Sequence, residues 1–271
     1  MPAAEGGLEY AVDEVVVVAT KRATPLRDVA ADVTVINVED LQATLSASLA
    51  DAFRFVPGIT DESSGSRFGT EGISIRGIGG NRIAMELDGV PLSDHFDIGN
   101  FSNATRDFAD TGITGQIEVL RGPASALYGS SALGGVVAMR TLGPTDYRSA
   151  GAAAGRASLL YRGLDESHNT EASLVLNGDW ASLVVAGGHR EGAERDSAAL
   201  EVADDRQYYR RDATLVKLVG ENRVGHDWQV STVRQTRETS TDVRSVLGTG
   251  RFASTTRLEG DDQHTINIFG A

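Results

Sequence analysis

From about residue 152 onward, apolar and polar residues alternate in short runs, the period-two signature of half-buried strands. Ala172, Leu174 and Leu176 share one face, with Ser173, Val175 and Asn177 on the other. Ile266 and Ile268 alternate with Thr265, Asn267 and Phe269. The pattern predicts strands over about 154–163, 170–178, 180–190, 212–222, 227–238 and 263–270. The connections alternate as well. Asn177-Gly178-Asp179 and Gly225-His226-Asp227 are tight-turn sequences, whereas 191–210 and 240–262 are long polar stretches. Short turns at one end and long loops at the other fit a transmembrane β-barrel. A soluble β-sandwich fits the strand pattern as well.

The first half has a different texture. Residues 1–12 read as a flexible leader, and Asp13 to Thr20 (DEVVVVAT) as a short β-branched strand behind two acids. Val33 to Ile36 predicts a second strand. A helix start is expected at Glu39 to Gln42, and Ser48 is placed to cap a helix from Leu49 to Val56, stopped by Pro57-Gly58. The Ser- and Gly-rich stretch 60–70 reads as a loop. Ile73 to Arg76 alternates, Ile78 to Asn81 is a turn signal, and Arg82 to Asp88 alternates again, with Ile83, Met85 and Leu87 on one face and Ala84 and Glu86 on the other. Residues 91–112 are loop-like. Ile117 to Arg121 predicts a strand, Pro123 the first turn of a short helix ending near Gly129, and Val136 to Thr141 a final strand. Residues 21–143 therefore form a small mixed α/β domain, and the texture changes at Gly143-Pro144.

Composition narrows the function. A formal net charge of -13 argues against nonspecific nucleic-acid binding, which needs basic patches. The absence of cysteine removes disulfides and thiolate metal sites. No run of 18 apolar residues is present, which excludes a transmembrane helix but not barrel strands. Met1 to Gly7 has neither a basic nor an apolar region, so a secretory signal is expected to have been removed or to lie upstream.

Enzyme motifs fail on inspection. Gly77-Ile78-Gly79-Gly80-Asn81-Arg82 puts an arginine where a dinucleotide fingerprint needs glycine, and it lies between two strands. Gly122 to Gly135 lacks the Gly-Lys-Ser/Thr of a phosphate loop. There is no Gly-x-Ser-x-Gly, and the five histidines have no metal-ligand spacing.

Three segments point elsewhere: Ala50 to Ile59 (ADAFRFVPGI), Ile73 to Leu92 (ISIRGIGGNRIAMELDGVPL) and Ile117 to Thr141 (IEVLRGPASALYGSSALGGVVAMRT). In order and spacing they resemble the plug domain of TonB-dependent outer-membrane receptors. The resemblance covers residues 13–143 closely and the remainder as generic barrel. It implies a mixed α/β plug domain (21–143), preceded by a leader with a coupling segment (1–20) and followed by antiparallel transmembrane β-barrel strands (144–271) of an incomplete barrel. Such transporters use a 22-stranded barrel. About six strands would leave two open edges, so the chain is expected to be a piece of a longer receptor.

The resemblance also implies roles. Asp13, Glu14, Val15, Val16, Val17, Val18, Ala19 and Thr20 stand where the family carries its TonB box, an extended segment that adds to a sheet edge of TonB's periplasmic domain. Arg76, Arg82, Glu86, Glu118 and Arg121 are charges amid apolar strand residues, and the family pairs such plug charges with the barrel wall. The stretch from Ile75 to Leu92, with Phe101 to Ala104 and Arg106-Asp107, looks most like the haem and haemoglobin receptor branch. His95 is there the candidate ligand of haem iron and Phe96 a packing partner for the porphyrin. Haem or a ferric chelate is expected as cargo, with no permanently bound cofactor. The expected partners are TonB, outer-membrane lipid and an iron compound or haem-carrying protein. A ferric siderophore, cobalamin or a soluble β-rich binding role are the alternatives.

Overall fold

A computed structural model describes residues 15–16, 21–61, 72–92, 97–98, 101–102, 110–147, 151–193, 206–221, 227–242 and 261–270. The elements run β1 (Val15–Val16), β2 (Thr24–Pro25), β3 (Asp32–Asn37), α1 (Val38–Ala43), α2 (Leu49–Phe53), β4 (Ile59–Asp61), β5 (Ile73–Ile75), β6 (Ile78–Gly79), β7 (Ile83–Leu87) and β8 (Val90–Pro91). There follow β9 (Asp97–Ile98), β10 (Phe101–Ser102), β11 (Thr114–Arg121), α3 (Ser125–Tyr128) and β12 (Gly135–Thr141). Six long strands close the chain: β13 (Ala153–Arg162), β14 (Ser167–Asn177), β15 (Ala181–Ala193), β16 (Arg206–Glu221), β17 (Asp227–Asp242) and β18 (Asp261–Gly270).

Local chemistry explains the first elements. The Asp40 carboxylate accepts the Asn37 N–H at 3.0 Å and caps α1. Ser48 Oγ accepts the Asp51 N–H at 3.2 Å and caps α2, as its position predicts. Helix α2 ends at Phe53, short of the expected Val56: the chain tightens there to three-residue bonds, Arg54 N–H to the Asp51 carbonyl and Val56 N–H to the Phe53 carbonyl, and Pro57 disfavours helical backbone at Val56. Pro123 does not open a helical turn either. The Ala124 N–H is donated to the Ala132 carbonyl at 2.9 Å, which ties that corner back on itself, and α3 begins only at Ser125.

The plug is built on a five-stranded mixed sheet in the order β3-β11-β12-β7-β8, with β12 and β7 parallel and the other neighbours antiparallel. Alternation along β7 predicts one apolar face, yet every residue from Ile83 to Leu87 is buried. One face joins the main core with Ile117, Val119, Val137 and Met139. On the other, Ala84, Leu120 and Val136 pack with Ala124 and Ala132 of the covering segment. Gly134 and Gly135 permit that closeness: a Cβ on Gly134 would meet Ile78 Cγ2 at 2.7 Å, and one on Gly135 the Leu120 carbonyl oxygen.

Strands β13 to β18 form one antiparallel meander in chain order. Five of the expected strands reach further than their alternation indicates; β16 begins at Arg206 and β17 runs to Asp242. Their inward residues Val175, Val184, Ala186, Ala213, Leu215 and Val233 are buried in the same cluster as the plug's Leu41, Ile113 and Leu142. Leu159, Leu174, Leu176, Val185, Val216 and Val230 on the outward face are exposed. Trp180 and Trp228 lie 6.1 Å apart at the short-turn end, and Tyr161 packs on His168 at 4.9 Å towards the other. An apolar outer band with aromatic borders is what a strand sheet facing lipid presents.

Candidate functional site

The seam between plug and wall is where the chain concentrates buried polar chemistry. Three groups of contacts cross it. The first joins the α2 corner to the turn between β13 and β14. Arg162 Nη1 donates to both Asp51 carboxylate oxygens, at 3.1 and 3.0 Å. The same guanidinium reaches Asp165 through Nε at 3.1 Å. Arg190 donates to Asp165 at 3.2 Å and to the plug's Ala47 carbonyl at 2.9 Å. Tyr209 and Ser167 each donate a hydroxyl to Asp165 at 2.7 Å. Burial alone would raise the Asp165 carboxyl; the donors Ser167, Tyr209 and Arg162, with the Arg162 charge, outweigh it and hold it at about 2.

The second group is the plug turn at Asp110–Ile113, which rests on β14, β15 and β16. The Asp110 N–H donates to Gln235 of β17 at 3.2 Å, and Thr111 Oγ1 to Glu171 of β14 at 3.0 Å. The Asp110 carboxylate accepts the Gly112 N–H at 2.8 Å and lies over Gly188 of β15, where any Cβ would collide with it. Burial, and then the nearby Glu171, push its carboxyl up to about 6 against the pull of the Gly112 N–H, Arg211 and Arg190.

The third group lies where the plug passes into the wall. Lys217 of β16 is 2 % exposed, donates to the Thr141 carbonyl at 3.2 Å and sits 3.7 Å from Asp88. Asp88 is already held by the Thr141 N–H at 2.9 Å and hydroxyl at 2.6 Å. Arg140 grips Asp146 with two bonds of 2.7 Å, and Arg156 of β13 donates to the Asp146 carbonyl at 2.8 Å.

The charges expected to face the wall do not make this seam with β13–β18. Arg76 pairs with Asp32. Arg121 pairs with Asp32 at 2.9 Å and donates to the Pro57 carbonyl at 3.0 Å. Glu86 pairs with Lys21 at 2.7 Å, and Arg82 donates to the Gly79 carbonyl at 3.1 Å. All these partners belong to the plug. Glu118 is buried within the plug sheet. The reason is direction: β11 meets the wall beside its Thr114 end, and Arg121 stands at the far end, about 24 Å along an extended strand. Asp51, Asp88, Asp110 and Lys217, which do form the seam, had no signal beyond being charges at a cap, at turns and inside an apolar strand.

Of the coupling segment, Val15 and Val16 form β1, paired antiparallel with Pro25 and Thr24 of β2. Asp13, Glu14, Val17, Val18, Ala19 and Thr20 lie outside the described residues, as do His95 and Phe96.

Comparison with known proteins agrees with this architecture. Residues 25–136 match the TonB-dependent receptor plug domain family. The chain is 36 % identical over 125 residues to the vitamin B12 transporter BtuB of Vibrio vulnificus, covering 46 % of this chain and 20 % of that protein. It is 35 % identical over 138 residues to the hemin receptor of Yersinia pestis, covering 51 % of this chain and 20 % of that one. Among solved structures, the ferric enterobactin receptor PfeA of Pseudomonas aeruginosa superposes with a TM-score of 0.62 at 19 % identity, over 88 % of this chain and 38 % of that one. The chain spans about a fifth of the length of these two curated relatives. The fold is that of outer-membrane receptors. Residues 25–136 are thus a plug domain of the TonB-dependent receptor family, and the antiparallel strands that follow take the fold of the barrel wall in outer-membrane receptors.

Proposed function

We propose that the complete receptor imports a scarce iron compound across the outer membrane, that the compound is haem taken from a haem-carrying protein, and that TonB supplies the force. The observation that carries the import reading is the character of the seam. The plug buries an apolar patch, Leu41, Ile113 and Leu142, against Val175, Val184 and Leu215 of the wall. Around that patch it is seated by Asp51–Arg162, Arg190–Ala47, Asp110–Gln235 and Lys217–Thr141, polar contacts whose groups water can take over when the plug moves. They specify one seating position at modest net stability. Haem or a ferric chelate is cargo, and the receptor keeps no resident cofactor.

The haem reading draws on the plug segment from Ile75 to Leu92 and on the similarity to the hemin receptor. A cobalamin receptor is the second reading, favoured by the similarity to BtuB. Absorption titrations of the purified complete receptor with haem and with cyanocobalamin separate them. Tight haem binding, with a haem band altered in His95→Ala, supports the haem reading. Cyanocobalamin binding without haem binding replaces it with the second. A receptor that takes up neither compound nor any ferric siderophore into energised cells sinks the import reading altogether.

A further inference from the structure

Very little backbone holds Val15 and Val16 of the coupling segment. Strands β1 and β2 form a sheet of their own, with Val15 opposite Pro25 and Val16 opposite Thr24. Pro25 has no N–H to give. A free-standing pairing of two such short strands is marginal in water. A second attachment is needed to keep the segment on the plug.

Lys21 supplies one. It lies between β1 and β2 in the chain, in a left-handed backbone conformation (φ 57°) that a non-glycine residue keeps only when its surroundings hold it. Its Nζ donates to Glu86 of β7 at 2.7 Å and sits 3.7 Å from the centre of the Tyr128 ring of α3. Glu86 is buried, and so is Glu118 on the same face of the sheet. In register, Glu86 lies opposite Ala138, and Ala138 opposite Glu118, so one small residue separates two buried acids. Burial, and then Glu86 and Glu118, push the Tyr128 hydroxyl well above its usual range; the negative field of the pair reaches the ring on which the ammonium rests. Lys21 thus enters a seat prepared for a cation.

We propose that Lys21 is the latch of the coupling segment: seated between Glu86 and Tyr128, it keeps Val15 and Val16 on the plug at rest, and the segment is free for strand capture only when Lys21 leaves. Resting on the import reading, in which TonB takes this segment, Lys21 sets how often the segment is available. Its withdrawal strips buried Glu86 of an ion pair, so release is opposed by more than the pairing of β1 with β2. Glu86 also stands two residues before Asp88, whose carboxylate accepts the Thr141 N–H and hydroxyl at the seam. The latch therefore bears on the strand that leads to a wall contact.

Amide exchange of the complete receptor in detergent, without TonB, tests the latch. Lys21→Met should speed exchange at Val15, Val16 and Thr24 roughly tenfold, the worth of about one charge-assisted bond, and leave β14 and β15 unchanged. Glu86→Gln should loosen the same residues, and Lys21→Met should add little on top of it. Wild-type exchange in Lys21→Met overturns the latch, and so do fully additive effects of the two changes. Capture is measured separately with the periplasmic domain of TonB, which Lys21→Met should bind severalfold more tightly than wild type. Faster exchange with equal capture by both forms overturns Lys21 as the control of access. If Lys21→Met releases the segment and neither form captures that domain at all, the import reading fails and the latch stands.

Discussion

Arg162 on the first wall strand holds both carboxylate oxygens of Asp51 on the plug's second helix, although 111 residues separate them. Asp51 also accepts from Ser48 Oγ and Arg54, so one side chain serves a helix terminus and a plug–wall contact together. Removing either partner leaves the other with its second ion pair, Asp51 with Arg54 and Arg162 with Asp165, but strips it of a buried charge-assisted bond, at about 1–3 kcal/mol. Removing both with apolar side chains should cost less than the sum of the singles. A double-mutant cycle on Asp51→Ala and Arg162→Leu, read by denaturant unfolding of the plug, checks this. Additive single effects would mean that the contact is incidental.

Gly188 and Asp110 make a steric prediction. A Cβ at residue 188 would fall well inside van der Waals contact with the Asp110 carboxylate. Gly188→Ala should therefore lift the Asp110–Ile113 turn from the wall, at about 1–3 kcal/mol, and speed proteolysis within the plug. Shortening the acid in the double variant Gly188→Ala with Asp110→Ala should recover most of that protection. Failure of the second change to relieve the first would place the strain elsewhere.

Element identity was readable from the chain far better than partnership. The Ser48 cap, the alternation of the six wall strands and the turn at Asn177 follow from local chemistry, and the structure contains them. Lys217 shows the limit. Its parity matches Leu215, so the pattern puts it on the inward face, but its acceptor Thr141 and its counter-charge Asp88 lie 76 and more residues away in another domain. Arg76 and Arg121 show the converse limit. A charge in an apolar strand signals a specific partner, and the one they share, Asp32, became visible only once β3 paired with β11. Both faces of β7 are buried because a loop folds over the second one, which alternation cannot express.

Asp110 predicts a pH response. Its carboxyl stands at about 6 against 3.8 unperturbed, because burial and Glu171 of β14 outweigh the Gly112 N–H, Arg211 of β16 and Arg190 of β15. Arg237 of β17 stands beyond Arg211 in register, and Gln235 contributes no charge. A raised acid binds protons better in the folded state, so its contribution is complete below pH 3.8 and is lost as pH rises through 6. Lowering pH from 7 to 5 should thus tighten the Asp110 turn on the wall, seen as slower amide exchange at Thr111 to Ile113. The Asp110→Asn variant should show no such change. An equal response in that variant would assign the titration to another group.

Val16 lies opposite Thr24 in the short pairing of β1 with β2. Partner capture by strand addition depends on backbone N–H groups along the coupling segment, and proline removes one. Val16→Pro should leave ligand binding at the cell surface intact and lower energy-dependent uptake by about tenfold, the worth of roughly one strong hydrogen bond. Val16→Thr keeps the N–H and the β-branched side chain and should transport normally. The contrast separates backbone pairing from side-chain recognition. If both variants transport at the wild-type rate, the segment around Val15 and Val16 is a strand of the plug and not the site where TonB takes hold. If both fail equally, recognition rests on the valine side chain rather than on the added strand.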